Sequence, residues 1–109
     1  MVEARAFFLL TKTAVVAGDD TMVAERVRYP ITVRIGGLGV VIASPAEFSK
    51  NYPGIFDEVR REALLQASEE DLQVLPDGIR AAGGLLRFSK FCKDSPCAEW
   101  EFLITQINH

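Results

Sequence analysis

The spacing of apolar residues changes once along this chain, from a helical step to an alternation, and that change sets its fold class. Up to Ala17, Phe7, Leu10 and Ala14 recur at three- and four-residue steps. Alanines and leucines favour a helix there and no Gly or Pro interrupts, so the spacing predicts a helix over Val2–Ala17. Gly18 supplies its stop. Asp19 or Asp20 then caps a second, short helix, about Thr21–Arg26, by accepting bonds from its free N–H groups. From Val27 the period is two. Ile31, Val33 and Ile35 point one way while Thr32 and Arg34 point the other, which is a half-buried strand. Gly36-Gly37-Leu38-Gly39 is a turn, because several positions there can take positive φ at little cost. Val40-Val41-Ile42-Ala43 is the returning strand of a hairpin.

Ser44-Pro45-Ala46-Glu47 is the sharpest local signal. Ser44 is an N-cap, Pro45 fits the first helical position, and Glu47 closes a capping box. This helix runs toward Tyr52 and Pro53-Gly54 breaks it. A further helix, about Ile55–Ala67, follows with Val59, Ala63 and Leu64 as its apolar face. Glu69-Glu70-Asp71 marks an exposed turn. Strand-like segments near Leu72–Leu75, Ile79–Ala81, Leu85–Cys92 and Glu99–Asn108 are separated by Pro76-Asp77-Gly78 and Gly83-Gly84. No repeats or linkers divide the chain, which reads as one domain over residues 1–109. The order predicts an α+β fold: a curved antiparallel sheet with the N-terminal and mid-chain helices packed on one face.

Composition narrows the function classes. Lys and Arg total 12 against 15 Asp and Glu, a formal charge of −3, and 49% of residues are hydrophobic. That apolar content excludes a disordered chain. The acidic balance counts against a nucleic-acid partner, which wants a basic surplus to displace counterions from phosphates. No apolar run reaches the ~20 residues of a membrane span. The most apolar stretch, Ala6–Leu10 with Ala14–Ala17, is interrupted by Lys12. Glu3 also stands where a signal peptide wants positive charge, so the stretch reads as a folded helix.

Cys92 and Cys97 are separated by four residues and lie between two strands. Asp94-Ser95-Pro96 is turn-forming, so the Cα atoms can approach to the ~4.4–6.8 Å that a disulfide needs. Such a bond would staple the mouth of the hairpin and point to an oxidising compartment, periplasmic or extracellular. The alternative is two free thiols, one of them packed in the core. Two Cys and one His do not complete a four-ligand zinc site, and no C-x-x-C redox motif occurs. That lone histidine, His109, is the last residue, where a general base lacks a fixed position. Without an internal His, Ser-His-Asp and Cys-His sites have no base. Gly36-Gly37-Leu38-Gly39 sits between strands, not between a strand and a helix, so it is not a phosphate loop. Nothing in the sequence calls for a cofactor or a metal.

The remaining polar residues have bland readings. Asp19 and Asp20 are helix caps, Tyr29 is a packed strand residue and Tyr52 is a partly exposed helix end. Asp57 and Arg61, four apart, form a surface ion pair. Arg87, Lys90, Glu99 and Glu101 form cross-strand ion pairs on the terminal hairpin. Trp100, Phe102 and Ile104 alternate along one face of the last strand, with Phe88 joining them. That face is core, a pocket wall or a dimer surface.

Four strings in this order resemble the nuclear transport factor 2-like superfamily, the cystatin-like α+β roll. They are Ala17-Gly18-Asp19-Asp20 with Val23-Ala24; Tyr29-Pro30-Ile31-Thr32-Val33; Ala46-Glu47-Phe48 through Tyr52 with Ile55-Phe56; and Ile104-Thr105-Gln106-Ile107-Asn108. The resemblance covers nearly the whole chain and looks closest to small bacterial secreted or lipoprotein-attached domains. Those often carry two cysteines just before the last strand, where Cys92 and Cys97 stand. It implies a cone-shaped sheet whose helices close one side of an internal pocket, but no particular reaction. The expected function is a small non-enzymatic domain with an apolar pocket inside the roll, binding a small apolar ligand there or a protein partner through the sheet. Phe7, Leu10, Tyr29, Phe56, Phe88, Trp100 and Phe102 are its pocket candidates. The alternative is a pocket enzyme of isomerase or dehydratase type, using a Tyr and a buried carboxylate. A homodimer through the outer sheet face is compatible with either.

Overall fold

A computed structural model of the chain describes residues 2–108. The expectation made for His109 lies outside the described residues. The first helix, α1, spans Val2–Ala17 and buries Ala4, Phe8, Thr11, Ala14 and Val15. This corrects the expected stripe: Phe7 is half-buried and Leu10 is 48% exposed. Ala6 through Leu10 is apolar on every side of the helix, so two stripes compete. The one that wins tolerates Thr11, whose hydroxyl is satisfied by the Phe7 carbonyl at 2.8 Å.

Helix α2 spans Asp20–Ala24, and the Asp19 carboxylate caps it by accepting from the Met22 N–H at 3.2 Å. It stops short of the expected Arg26 because the next residues are committed elsewhere. The Arg26 carbonyl accepts from the Ile104 N–H at 2.7 Å, and the Arg28 N–H donates back to the Ile104 carbonyl at 2.9 Å. Strands β1, Ile31–Ile35, and β2, Leu38–Ile42, pair antiparallel. Their turn is only Gly36 and Gly37, with φ of +59° and +83°, so Leu38 and Gly39 join the ladder.

Ser44 caps the next helix as the sequence predicts, while the Glu47 side chain reaches one residue further back than a capping box requires. Ser44 Oγ accepts from the Glu47 N–H at 3.2 Å, and Glu47 Oε2 accepts from the Ala43 N–H at 2.8 Å. Helix α3 covers Pro45–Lys50 and α4 covers Tyr52–Ile55. Pro53-Gly54 is thus inside a helical turn rather than a break, since a first-turn proline forgoes no helical bond. Gly54 is required by close approach: a Cβ there would stand 2.7 Å from Ile35 Cγ2 on β1. Helix α5, Glu58–Gln66, begins later than expected because Asp57 caps it, accepting from the Arg60 N–H at 2.9 Å. Asp57 is therefore a cap, not a partner of Arg61, which donates to the Val16 carbonyl at 3.3 Å. The buried face is also corrected. Val59 is 73% exposed and Ala63 is exposed, while Arg60 and Leu64 are buried.

After a short helical turn at Glu69–Asp71 come β3, Gln73–Leu75; β4, Gly78–Ala81; β5, Leu86–Cys92; and β6, Trp100–Ile107. These four form one antiparallel sheet in chain order, and β1–β2 forms a separate one. The fold is α+β as expected, but the strands form two sheets rather than a single curved one. Among the described residues an isolated parallel bridge joins Val27, in the segment before β1, to Ile104 on β6. Pro30, at the entry to β1, has no N–H with which to extend it.

A register shift between β5 and β6 pairs Arg87 with Gln106 and Phe88 with Ile104, leaving Thr105 as the extra residue. This changes the alternation, so that both Ile104 and Ile107 are buried. The expected ion pairs across this hairpin do not form. Lys90 is paired with Phe102, Glu101 with Phe91, and Arg87 instead meets Asp77 at 3.3 Å. The core contains Phe8, Phe48, Phe88, Ile42, Ile55 and Leu64, all fully buried. One charge lies among them. Arg60, 2% exposed, donates to the carbonyls of Ile55 and Arg34 at 2.7 Å each, of Asn108 at 3.2 Å and of Gly54 at 3.4 Å.

Candidate functional site

A cleft of about 450 Å³ opens between the start of α1 and the β3–β4 hairpin. Glu3 and Ala4 form one wall, Val74 through Ile79 the other, and Ser89, Lys90 and Phe102 complete it. Its volume falls within the range of small-molecule sites, ~300–1,000 Å³. The hairpin turn sits close on β5 because Gly78 leaves room. With φ at +155°, a Cβ on Gly78 would press on the Ser89 hydroxyl and the Phe88 carbonyl. The sequence marked Pro76-Asp77-Gly78 only as a separator between strands. Nothing adjacent in the sequence distinguishes a glycine needed for close approach from one needed for a turn.

The seven pocket candidates fall into two aromatic groups and an outlier. Phe7 stands 4.8 Å from Phe88 and 5.6 Å from Phe102, ring centre to ring centre. Phe102 in turn meets Phe88 edge-on at 5.3 Å and Trp100 at 5.2 Å. The Lys90 ammonium lies 4.1 Å from the Trp100 ring centre and closes this run. Tyr29 and Phe56 belong to a second group, in which Tyr29 meets Phe48 at 6.4 Å and Phe56 meets Tyr52 at 5.7 Å. Leu10 stands apart on the exposed face of α1. Of the seven, Phe102 lines the cleft. The core holds fully buried side chains, among them Phe8, Phe48 and Phe88, and the cleft borders the start of α1.

The tyrosines hold structural bonds. Tyr29 donates to the Ala24 carbonyl at 2.6 Å, and Tyr52 to the Val15 carbonyl at 3.4 Å. Burial pushes the Tyr29 pKa up to about 12. Burial also raises that of Tyr52, the Asp20 and Asp19 carboxylates push the same way, and Arg61 pulls it back. Neutral phenol is thus favoured in the folded chain. Stability from these groups is complete below pH ~10, the unfolded pKa, and is lost as pH rises toward the folded values. Tyrosinate absorbance should therefore appear late, above the ordinary tyrosine value of ~10, and together with unfolding. Titration of both tyrosines near pH 10 in the folded protein would contradict this. Among the described residues the buried polar side chains are Thr11 and Arg60; no carboxylate is among them. No group of three or more His, Cys, Asp and Glu residues is placed to hold a metal there.

Cys92 and Cys97 lie beyond the aromatic run, with Sγ atoms at bonding distance, 2.08 Å, and Cα atoms 4.9 Å apart. The Asp94 turn brings them together: its carbonyl accepts from the Cys97 N–H at 3.0 Å, and its carboxylate accepts from the Glu99 N–H at 3.2 Å. Closing so short a loop contributes roughly 2 kcal/mol by chain entropy. The double Cys→Ser variant should lose about that much in urea unfolding. Intact mass after alkylation should show no label without reductant and two labels with it. Compared with protein-family models, with curated proteins and with solved structures, the chain matches none of them.

Proposed function

We propose that this chain is a small non-enzymatic binding domain whose ligand site is the cleft between α1 and the β3–β4 hairpin. The observation that carries this reading is the cleft itself: ligand-sized, walled by Ala4, Val74, Leu75, Pro76 and Ile79, floored by Phe102, and edged by Glu3 and Lys90. Apolar walls with a few charged groups at the margin suit a small, largely apolar molecule. We also propose kinship with the nuclear transport factor 2-like domains. The order of two helices, a hairpin, further helices and antiparallel strands supports it. The Cys92–Cys97 pair supports an oxidising location, periplasmic or extracellular.

Toluene, indole and octanoate are suitable probes, followed by amide NMR shifts. At least one should give saturable shifts at Ala4, Ile79 and Phe102. Val74 is 67% exposed, so Val74→Asp should leave the fold intact while placing a charge in the wall. It should weaken that binding about tenfold, the ~1.4 kcal/mol scale of one lost apolar contact and a desolvated charge. If none of the three probes gives saturable shifts, or Val74→Asp leaves binding unchanged, the cleft is not the site.

A further inference from the structure

A second cleft, of about 330 Å³, lies on the sheet face turned from the core and is bounded by Arg80, Gly83, Gly84, Arg87, Gln106 and Asn108. Three of its residues stand in a row across β4, β5 and β6, and Gln73 on β3 extends that row beyond the cleft. Gln73 is paired with Arg80, Arg80 with Arg87, and Arg87 with Gln106. Two guanidinium side chains therefore spring from directly opposite positions, with backbones ~5 Å apart. Like charges so placed repel unless a counter-charge lies between them. Asp77 meets Arg87 alone, at 3.3 Å, and its own side chain is 71% exposed. Arg80 donates to the Gly83 carbonyl at 3.4 Å. Its guanidinium lies against Gly84, where a Cβ would come within 3.1 Å of Nε and Nη2. The glycine turn thus seats the cation. Asn108 Nδ2 donates to the Gly84 carbonyl at 2.9 Å and toward Gln106 Oε1 at 3.5 Å. That contact engages the Gln106 carbonyl oxygen beside the guanidinium row.

We propose that this cleft binds a phosphate group, free or as a phosphomonoester. A carboxylate is satisfied by one guanidinium fork, whereas a tetrahedral dianion has oxygens and charge for both. Asp71 borders Arg80 through an adjoining hollow with Gln73 and competes as an internal counter-charge. The test is amide NMR at fixed ionic strength with inorganic phosphate, O-phosphoserine and chloride in parallel. Either phosphate should give saturable shifts at Gly83, Gly84, Arg87, Gln106 and Asn108, and chloride should not. The tighter of the two phosphates identifies the source. Arg80→Gln and Arg87→Gln should each weaken binding by about tenfold or more, the scale of one charge-assisted hydrogen bond. Gly84→Ala should act in the same direction by unseating Arg80, and Lys50→Gln, on exposed α3, should do nothing. Shifts that fail to saturate, match those from chloride, or survive both Arg variants would reduce the cleft to a screened surface charge and overturn the proposal. Val74→Asp leaves this cleft untouched, so the two sites fail separately.

Discussion

An Arg60→Leu variant is expected to unfold in urea with about 3–5 kcal/mol less stability than the parent and an unchanged dependence on denaturant. The guanidinium is 2% exposed and gathers carbonyls from three stretches: Gly54 and Ile55 in α4, Arg34 in β1, and Asn108 just past β6. Leucine replaces part of the volume but none of the donors. Each carbonyl left dry costs roughly 1–3 kcal/mol, reduced where water or backbone movement reaches it. Lysine keeps the charge but lacks the planar fork, so Arg60→Lys should fall between parent and Arg60→Leu. A loss below about 1 kcal/mol for leucine would mean that the three stretches hold together without the guanidinium.

Arg60 also shows where sequence reading meets its limit. A charged residue on a helix reads as solvated, and Val59 and Ala63 complete a plausible apolar stripe. What turns α5 by one residue is a set of acceptors 5 to 48 positions away. No local pattern contains them. Features whose causes are local fared differently. The bounds of α1, the Ser44 cap, the Asp19 cap and the meeting of Cys92 with Cys97 all follow from neighbours within a few residues. The antiparallel strands were legible to within one or two positions, since alternation and Gly-rich turns mark them. The division into two sheets was not. It depends on which strands pair across the chain, β1 with β2 alone and β3 to β6 in a row, and no local pattern discloses that.

The candidate cleft was legible only in part. Phe102 and its aromatic neighbours follow from alternation along β6, yet Thr105 changes the phase before the strand ends. The β3–β4 wall depends on the turn folding back onto β5, a tertiary event that Gly78 permits but does not announce. Leu10 was misplaced for another reason. With Phe7, Phe8, Leu9 and Leu10 in succession, periodicity has no phase to report, and the surroundings select Phe8.

Phe88→Ala is expected to cost about 3–5 kcal/mol, the usual result of removing a fully buried aromatic ring. Phe88 has no exposed surface and links Phe7 on α1 to Phe102 on β6. Its loss opens a cavity at the helix–sheet junction and removes support from the floor of the cleft. Phe88→Leu keeps most of the volume and should cost only about 1–1.5 kcal/mol. If the aromatic run acts as a unit, Phe7→Leu and Phe88→Leu should not add. A double-mutant cycle should give a coupling of about 0.5–1.5 kcal/mol, the excess that paired rings contribute beyond buried area. Trp100 fluorescence supplies the second readout, since its ring contacts Phe102 rather than Phe88 directly. Phe88→Ala should change its emission in the still-folded variant by loosening Phe102. Additive energies within about 0.3 kcal/mol, together with unaltered emission, would reduce the run to independent core contacts and leave the cleft floor held by other means.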